Sequence, residues 1–270
     1  MTLIETATTG KHSPETCEDG AVATHDFIAV IDGSTSKSPW QARPDMRNGR
    51  LAMLLLRDAI TCAQPDADCP TFCRHLTAAI AQAYREYGIS PRTVGSHPEC
   101  RLTASVAVYS RRKEEVWMIG DCQCMVDGHL YENPKPAEEP NAMRRAGVIH
   151  RLLAEGTETI ESLRRHDKGR DAIMGAIIES CKGQNKTFSV VDGTEIAMEH
   201  VRVIPAHGAH EIVLATDGYP HLMPTLGESE RELQRIIEED PLMTSRYKAT
   251  KAVMEGNLSF DDRCYVRFSP

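Results

Sequence analysis

The residues best suited to chemistry in this 270-residue chain are its carboxylates, and some are singled out by the apolar runs they follow. Magnesium, manganese and similar hard cations take oxygen ligands, so a site for them draws several Asp or Glu side chains from distant parts of a chain. Asp32-Gly33 ends the run Phe27–Ile31, and Asp217-Gly218 ends a run through Ile212–Ala215. An Asp at such a strand end projects its carboxylate from the sheet edge at a fixed place. The glycine lets the backbone turn sharply and leaves its carbonyl free to face an ion or a water. Ser259-Phe260-Asp261-Asp262 brings further carboxylates to the start of a strand, and Glu18-Asp19 does the same before the first strand. Asp127-Gly128 and Asp192-Gly193 instead lie between β-rich runs and read as hairpin turns.

The elements that must position these groups follow from apolar periodicity. His25–Ile31 reads as a strand buried on both faces and therefore interior to its sheet. Arg50–Ala63 and Thr71–Tyr87 read as helices, the latter with Phe72, Leu76, Ile80, Ala83 and Tyr87 on one face. Leu102–Tyr109, Glu115–Ile119 and Gln123–Val126 form an antiparallel meander. Residues 138–182 switch to helical patterns and are expected to form several short helices. Strands are expected again at Thr187–Val191 and His200–Ile204, joined across Asp192-Gly193, then at Glu211–Thr216 and Arg263–Phe268. Ser229-x-x-Glu232 before Leu233, Ile236 and Ile237 predicts a capping box opening a late helix. No repeat, low-complexity tract or long linker divides the chain. The expectation is one α+β domain over residues 1–270, in which two antiparallel sheets pack face to face between helices as a four-layer α-β-β-α sandwich.

Composition bounds the partners. A net charge of −8 with scattered Lys and Arg excludes a nucleic-acid footprint, and no apolar run approaches the length of a membrane span. Nine cysteines without an export signal predict reduced thiols and a cytoplasmic location rather than a disulfide framework. Walker loops, Gly-x-Ser-x-Gly elbows and His-Glu-x-x-His are absent, which removes nucleoside triphosphatase, α/β-hydrolase and zincin readings. Cys122-x-Cys124 lacks a second ligand pair and reads as structural, and His207-x-x-His210 reads as an exposed loop feature.

Taken in order, Glu18-Asp19, Phe-Ile-Ala-Val-Ile-Asp32-Gly33, Thr103-Ala104, Ile-Gly120-Asp121, Ala-Thr-Asp217-Gly218 and Asp261-Asp262 resemble the metal-dependent protein phosphatases of type 2C. The resemblance spans roughly residues 17 to 268 and implies a serine/threonine phosphoprotein phosphatase using two Mn2+ or Mg2+ ions, with a third in some members. It implies that Asp32 bridges two ions, that Asp217 and Asp261 complete one, and that Gly33 binds the other through its carbonyl. Glu18 would act through metal-bound water, and Asp121 matches a residue of an additional, weaker site. Two ions about 4 Å apart lower the pKa of a shared water for in-line attack on phosphorus and stabilise the charge that develops. The helical residues 138–182 fall where that family varies most and are expected to select the substrate or partner.

The pattern departs from the family at definite places. Ser34-Thr35-Ser36 replaces a His-Gly-Gly that carries the family's general-acid histidine, which leaves His221 as the candidate acid. Pro14 lies where a phosphate-binding arginine is usual, so Lys11 and Lys37 are the candidate phosphate ligands. His221 also replaces the second aspartate of Asp-Gly-x-x-Asp. Two other functions therefore stand beside the leading one: a phosphatase of a small phosphorylated metabolite, and a catalytically inactive module that binds a phosphoprotein.

Overall fold

The computed structural model describes residues 1–270. Ten strands and seven α-helices follow one another as β1 (Thr2–Thr9), β2 (Asp19–Ala23), β3 (Phe27–Gly33), α1 (Asn48–Thr61), α2 (Cys69–Glu86), α3 (Pro91–Ser96), β4 (Ala104–Ser110) and β5 (Glu115–Ile119). Next come β6 (Gln123–Val126), β7 (His129–Tyr131), α4 (Glu138–Ala154), α5 (Ile160–Arg165), α6 (Lys168–Ser180), β8 (Arg202–Pro205), β9 (Ile212–Ala215), α7 (Leu226–Glu239) and β10 (Arg263–Ser269).

The strands form two five-stranded antiparallel sheets, ordered β1-β10-β9-β6-β7 and β2-β3-β4-β5-β8. Strand β3 shows why both faces must be apolar. Ile28 and Val30 enter a core with Leu214, Val266 and Phe268 of the opposite sheet, while Phe27, Ala29 and Ile31 face Leu56, Phe72 and Leu76 of α1 and α2. On the far side, α7 places Leu233 and Ile236 against Val213, Ala215 and Tyr265. The layers are thus α1/α2, sheet, sheet, α7, the sandwich expected from the sequence. Helix α2 begins where Asp68 accepts a hydrogen bond from the Thr71 amide at 2.9 Å, with Pro70 in the first turn, where its missing N–H costs nothing.

Residues 138–182 are helical as expected, and Asp127-Gly128 turns β6 into β7 with positive φ at both positions. Four expectations are corrected. Leu102–Val126 is not one meander: β4 pairs with β5, but the chain then crosses at Gly120-Asp121 to the opposite sheet, where β6 pairs with β9 and β7. Thr187–Val191 makes only isolated bridges, to Ala104 and Gln184, and β8 pairs with β5, so Asp192-Gly193 is no hairpin turn. Asp192 is instead a buried anchor: Arg101 donates to it at 2.7 Å, and the Thr194 amide does so at 2.9 Å. The late helix starts one turn earlier than predicted, with Thr225 accepting from the Glu228 amide while Ser229 is buried inside the first turn. Finally, β1 and β2 precede β3, so Asp19 opens β2 opposite Asp32 rather than standing before the first strand.

All nine cysteines are free, and Cys122 and Cys124 lie in the core between the sheets. No helix is long and apolar enough to cross a membrane.

Candidate metal centre

Strand ends from both sheets deliver carboxylates to one edge of the sandwich. Asp32, near the end of β3, sits between Asp19 and Ser105 in the ladder. Gly33 follows because nothing else fits: a Cβ there would lie 2.2 Å from the Gly49 carbonyl oxygen. Asp121 follows Gly120, whose φ of +89° turns the chain out of β5 and whose missing side chain makes room for Ser105. The Ser105 hydroxyl then donates to Asp121 at 2.6 Å. Asp217 leaves β9 through Thr216, which is fixed to β10 by the Cys264 amide donating to its hydroxyl at 2.8 Å. Gly218 passes under Asp262, where a Cβ would meet that residue's carbonyl at 2.0 Å.

These three chain reversals bring ligand oxygens of Asp32, Asp121 and Asp217 within 4.8 Å of one another. Burial and like charge disfavour ionisation there. Burial first, and then the neighbouring Asp121, push the Asp32 carboxyl up to about 7. Burial and the charges of Asp32 and Asp121 drive Asp217 well above its usual range. Asp32 and Asp217 are therefore short of compensating charge, whereas Asp121 is paired with Lys135. Nearby, Glu18 is buried with Oε1 lacking any hydrogen-bond partner, while Oε2 accepts from Thr35 at 2.8 Å. The space around that orphaned oxygen depends on Gly49, whose Cβ would stand 2.6 Å from Glu18 Oε1 and 2.7 Å from the Gly33 carbonyl oxygen. An all-oxygen donor set, mutually repelling and partly unsatisfied, suits a hard divalent ion.

Asp261 borders the same cavity with both of its oxygens engaged, as those of Asp121 are by Ser105 and Lys135: Lys11 donates to one at 3.2 Å and Lys251 caps the other. Burial alone would raise the Asp261 pKa, yet these lysines hold it well below the usual carboxylate range. The close trio contains Asp121, expected only at an additional site, in the place expected for Asp261.

Lys11 is paired with carboxylates in this arrangement. Its ammonium lies 2.9 Å from Asp262, 3.2 Å from Asp261 and 3.6 Å from Glu18, and 3.3 Å from the Thr35 hydroxyl. Burial pulls its pKa down, but the surrounding carboxylates outweigh that and raise it. Asp262 also accepts from the backbone amides of Lys11 and Glu18, so it fastens the N-terminal loop to the site.

His221 is not among the residues that line the cavity: it is 53% exposed, pairs with Glu232 at 3.0 Å and makes an edge contact with Tyr247. His207 and His210 are exposed beside Glu114 and Asp127, as expected of loop histidines.

No family model matches the chain, and no curated protein matches it in sequence. Among solved structures, it is similar to the serine/threonine phosphatase Stp1 from Staphylococcus aureus at 11% identity and a TM-score of 0.49, over 100% of this chain and 95% of that one. The PPM Ser-Thr phosphatase MsPP from Mycobacterium smegmatis, in complex with cacodylate, gives 14% identity, a TM-score of 0.48, and coverage of 100% and 99%. The catalytic domain of the phosphatase PstP, in complex with 2 manganese ions, gives 16%, 0.45, and coverage of 97% and 96%. At such identities and TM-scores, the chemistry of this chain rests on its own side chains.

Those side chains include several that sequence reasoning did not single out. The cavity, of about 140 Å³, is walled by Lys135, Arg170 and Lys251, and by the expected Lys37, as well as by the acids. Lys135 reaches Asp121 at 2.6 Å; burial would raise the Asp121 pKa, but this ion pair and Ser105 lower it. Arg170 comes from α6 and Lys251 from the loop before β10, and neither lies in a motif whose spacing announces it.

Proposed function

We propose that this chain is a metal-dependent phosphomonoester hydrolase of the serine/threonine phosphoprotein class, with Asp32, Asp121 and Asp217 as ligands and Asp261 and Glu18 completing the acidic floor. The observation that carries this reading is the meeting of three strand-end carboxylates in one cavity whose wall is basic. Carboxylates suit a cation and lysine or arginine suits an anion, and a phosphate ester together with its metal requires both.

A divalent ion held there supplies charge to developing phosphoryl oxygens and lowers the pKa of a water. The chain's own contribution is position. Ser105 and Lys135 orient Asp121, Thr216 sets the exit of Asp217, and the β-ladder sets Asp32. Since no histidine lines the cavity, leaving-group protonation falls to a water or to one of the wall lysines. The nine free cysteines fit a reducing compartment.

Manganese-stimulated release of phosphate from a phosphoserine peptide tests the proposal. Asp32→Asn is expected to lower kcat by about a hundred- to a thousandfold, on the order of the loss when a principal electrostatic group is removed. A wild-type chain that binds manganese yet releases no phosphate from peptides, sugar phosphates or nucleotides across pH 6 to 9 would establish the inactive binding module instead.

A further inference from the structure

The cations of the cavity wall divide into two kinds. Lys135 and Lys251 are neutralised by Asp121 and Asp261. Lys37 and Arg170 have no carboxylate within 4.0 Å. Lys37 makes one hydrogen bond, to the Ser34 hydroxyl. Arg170 spends one nitrogen, Nη1, on the Thr250 carbonyl at 2.8 Å and the Thr250 hydroxyl at 3.4 Å. Its Nε and Nη2 make no hydrogen bond in the protein, and neither is among the buried groups that lack partners. Both are open to solvent, and Arg170 is one of the residues that line the cavity.

Both side chains are partly buried, where an unpaired charge is costly. Burial, reinforced by repulsion from Lys135, Arg170 and Lys251, lowers the Lys37 pKa, and burial lowers that of Arg170. The two arrive from independent elements. Lys37 lies in the loop that continues from Asp32-Gly33, and Arg170 lies in the first turn of α6, where the Asp167 side chain accepts from its backbone amide at 2.9 Å. Both therefore line one cavity from separate elements, and the carboxylates of that cavity, Asp261 and Glu138, act on Arg170 only at longer range than an ion pair.

We propose that Lys37 and Arg170 form a phosphate clamp that grips the non-reacting oxygens of a tetrahedral oxyanion, Arg170 through its free Nε and Nη2 and Lys37 as a point charge. A guanidinium edge with two free N–H groups matches two phosphate oxygens in parallel. The clamp gives the helical segment 138–182 a direct hand in the substrate, since α6 carries one jaw. It also supplies a cationic phosphate ligand where Lys11 is locked among carboxylates. The inference rests on the phosphatase reading, but the clamp needs no metal in order to bind an anion.

Inorganic phosphate is the probe, titrated against the full chain in EDTA by calorimetry or 31P NMR, with thermal melts to verify folding. Lys37→Met and Arg170→Met are each expected to weaken phosphate binding about ten- to hundredfold, the loss of one charge-assisted interaction. Arg170→Lys should recover part of it, and exposed Lys113→Met should change nothing. With manganese added, the clamp variants should raise the Ki of phosphate and the KM of a phosphomonoester in parallel. Equal phosphate affinity in wild type and a folded Lys37→Met/Arg170→Met variant overturns the clamp, whatever the chain hydrolyses. Clamp-dependent phosphate binding without any manganese-dependent hydrolysis keeps the clamp and removes the enzyme reading.

Discussion

Arg145 offers the sharpest test of how the cavity wall is held. It projects from α4, is completely buried, and donates to Asp167 through Nε at 2.9 Å, to the Leu242 carbonyl at 2.9 Å, and to those of Ala249 and Met243 at 3.0 and 3.3 Å. Asp167 in turn caps α6 and accepts from the Ala252 amide at 3.0 Å. One ion pair thus ties α4, α6 and the segment 242–252, and that segment supplies Tyr247, Thr250 and Lys251 to the cavity. Arg145→Met keeps the apolar stem but strands a buried carboxylate and removes the donor to three carbonyls. Breaking a buried pair from one side costs roughly 3–5 kcal/mol. At about 2–4 °C per kcal/mol for a chain of this size, the melting midpoint should fall on the order of 10 °C. Hydrogen exchange should show 242–252 opening first, because water must enter to satisfy the freed carbonyls. Pairing it with Asp167→Leu, which removes the stranded charge, should cost less than the sum of the single changes. A loss below about 1 kcal/mol, with unchanged exchange in 242–252, would refute the view that this pair secures the wall.

Other outcomes follow from the same geometry. Gly49→Ala would ordinarily favour a helix by about 1 kcal/mol, but contacts of 2.6–2.7 Å with Glu18 and Gly33 should reverse the sign; a lower urea midpoint together with weaker manganese binding is expected, and a stabilised variant would refute the packing argument. The raised pKa values of Asp19, Asp32 and Asp217 mean that the metal-free fold holds protons which the unfolded chain has lost, so its stability should decline as pH rises from about 4 through about 7. Urea midpoints in EDTA at pH 5 and pH 8 check this, with the lower value expected at pH 8 and the gap narrowed by manganese. His221→Ala should leave the pH–rate profile unchanged, since the ring pairs with Glu232 and does not line the cavity; a lost limb of the profile would reinstate it as an acid.

Strand β3 was legible because an unbroken apolar run must be buried on both faces, and α1 and α2 because their stripes keep helical spacing. The same logic missed β1, whose threonine-rich run Thr2–Thr9 is largely exposed at a sheet edge and so shows little burial pattern. It also overread Thr187–Val191, where Val190 and Val191 are apolar because they are buried in a loop, and a short apolar run does not reveal which ladder it joins. Within the site, Asp32 and Asp217 were readable as strand ends followed by glycine. The closeness of Asp121 to both was not, because it depends on how the chain leaves β5 at Gly120 and on Ser105 and Lys135 fixing the side chain. Lysines carry no spacing signal: Lys135 and Lys251 sit in irregular segments and gain meaning only from the carboxylates opposite them.

The central claim is that Asp32, Asp121 and Asp217 together bind a divalent cation. Anomalous diffraction from crystals grown with manganese measures this directly. A strong peak is expected within bonding distance of oxygens from all three residues, lost in Asp217→Asn. A map with no peak there, or with manganese confined to other surface carboxylates, would contradict it.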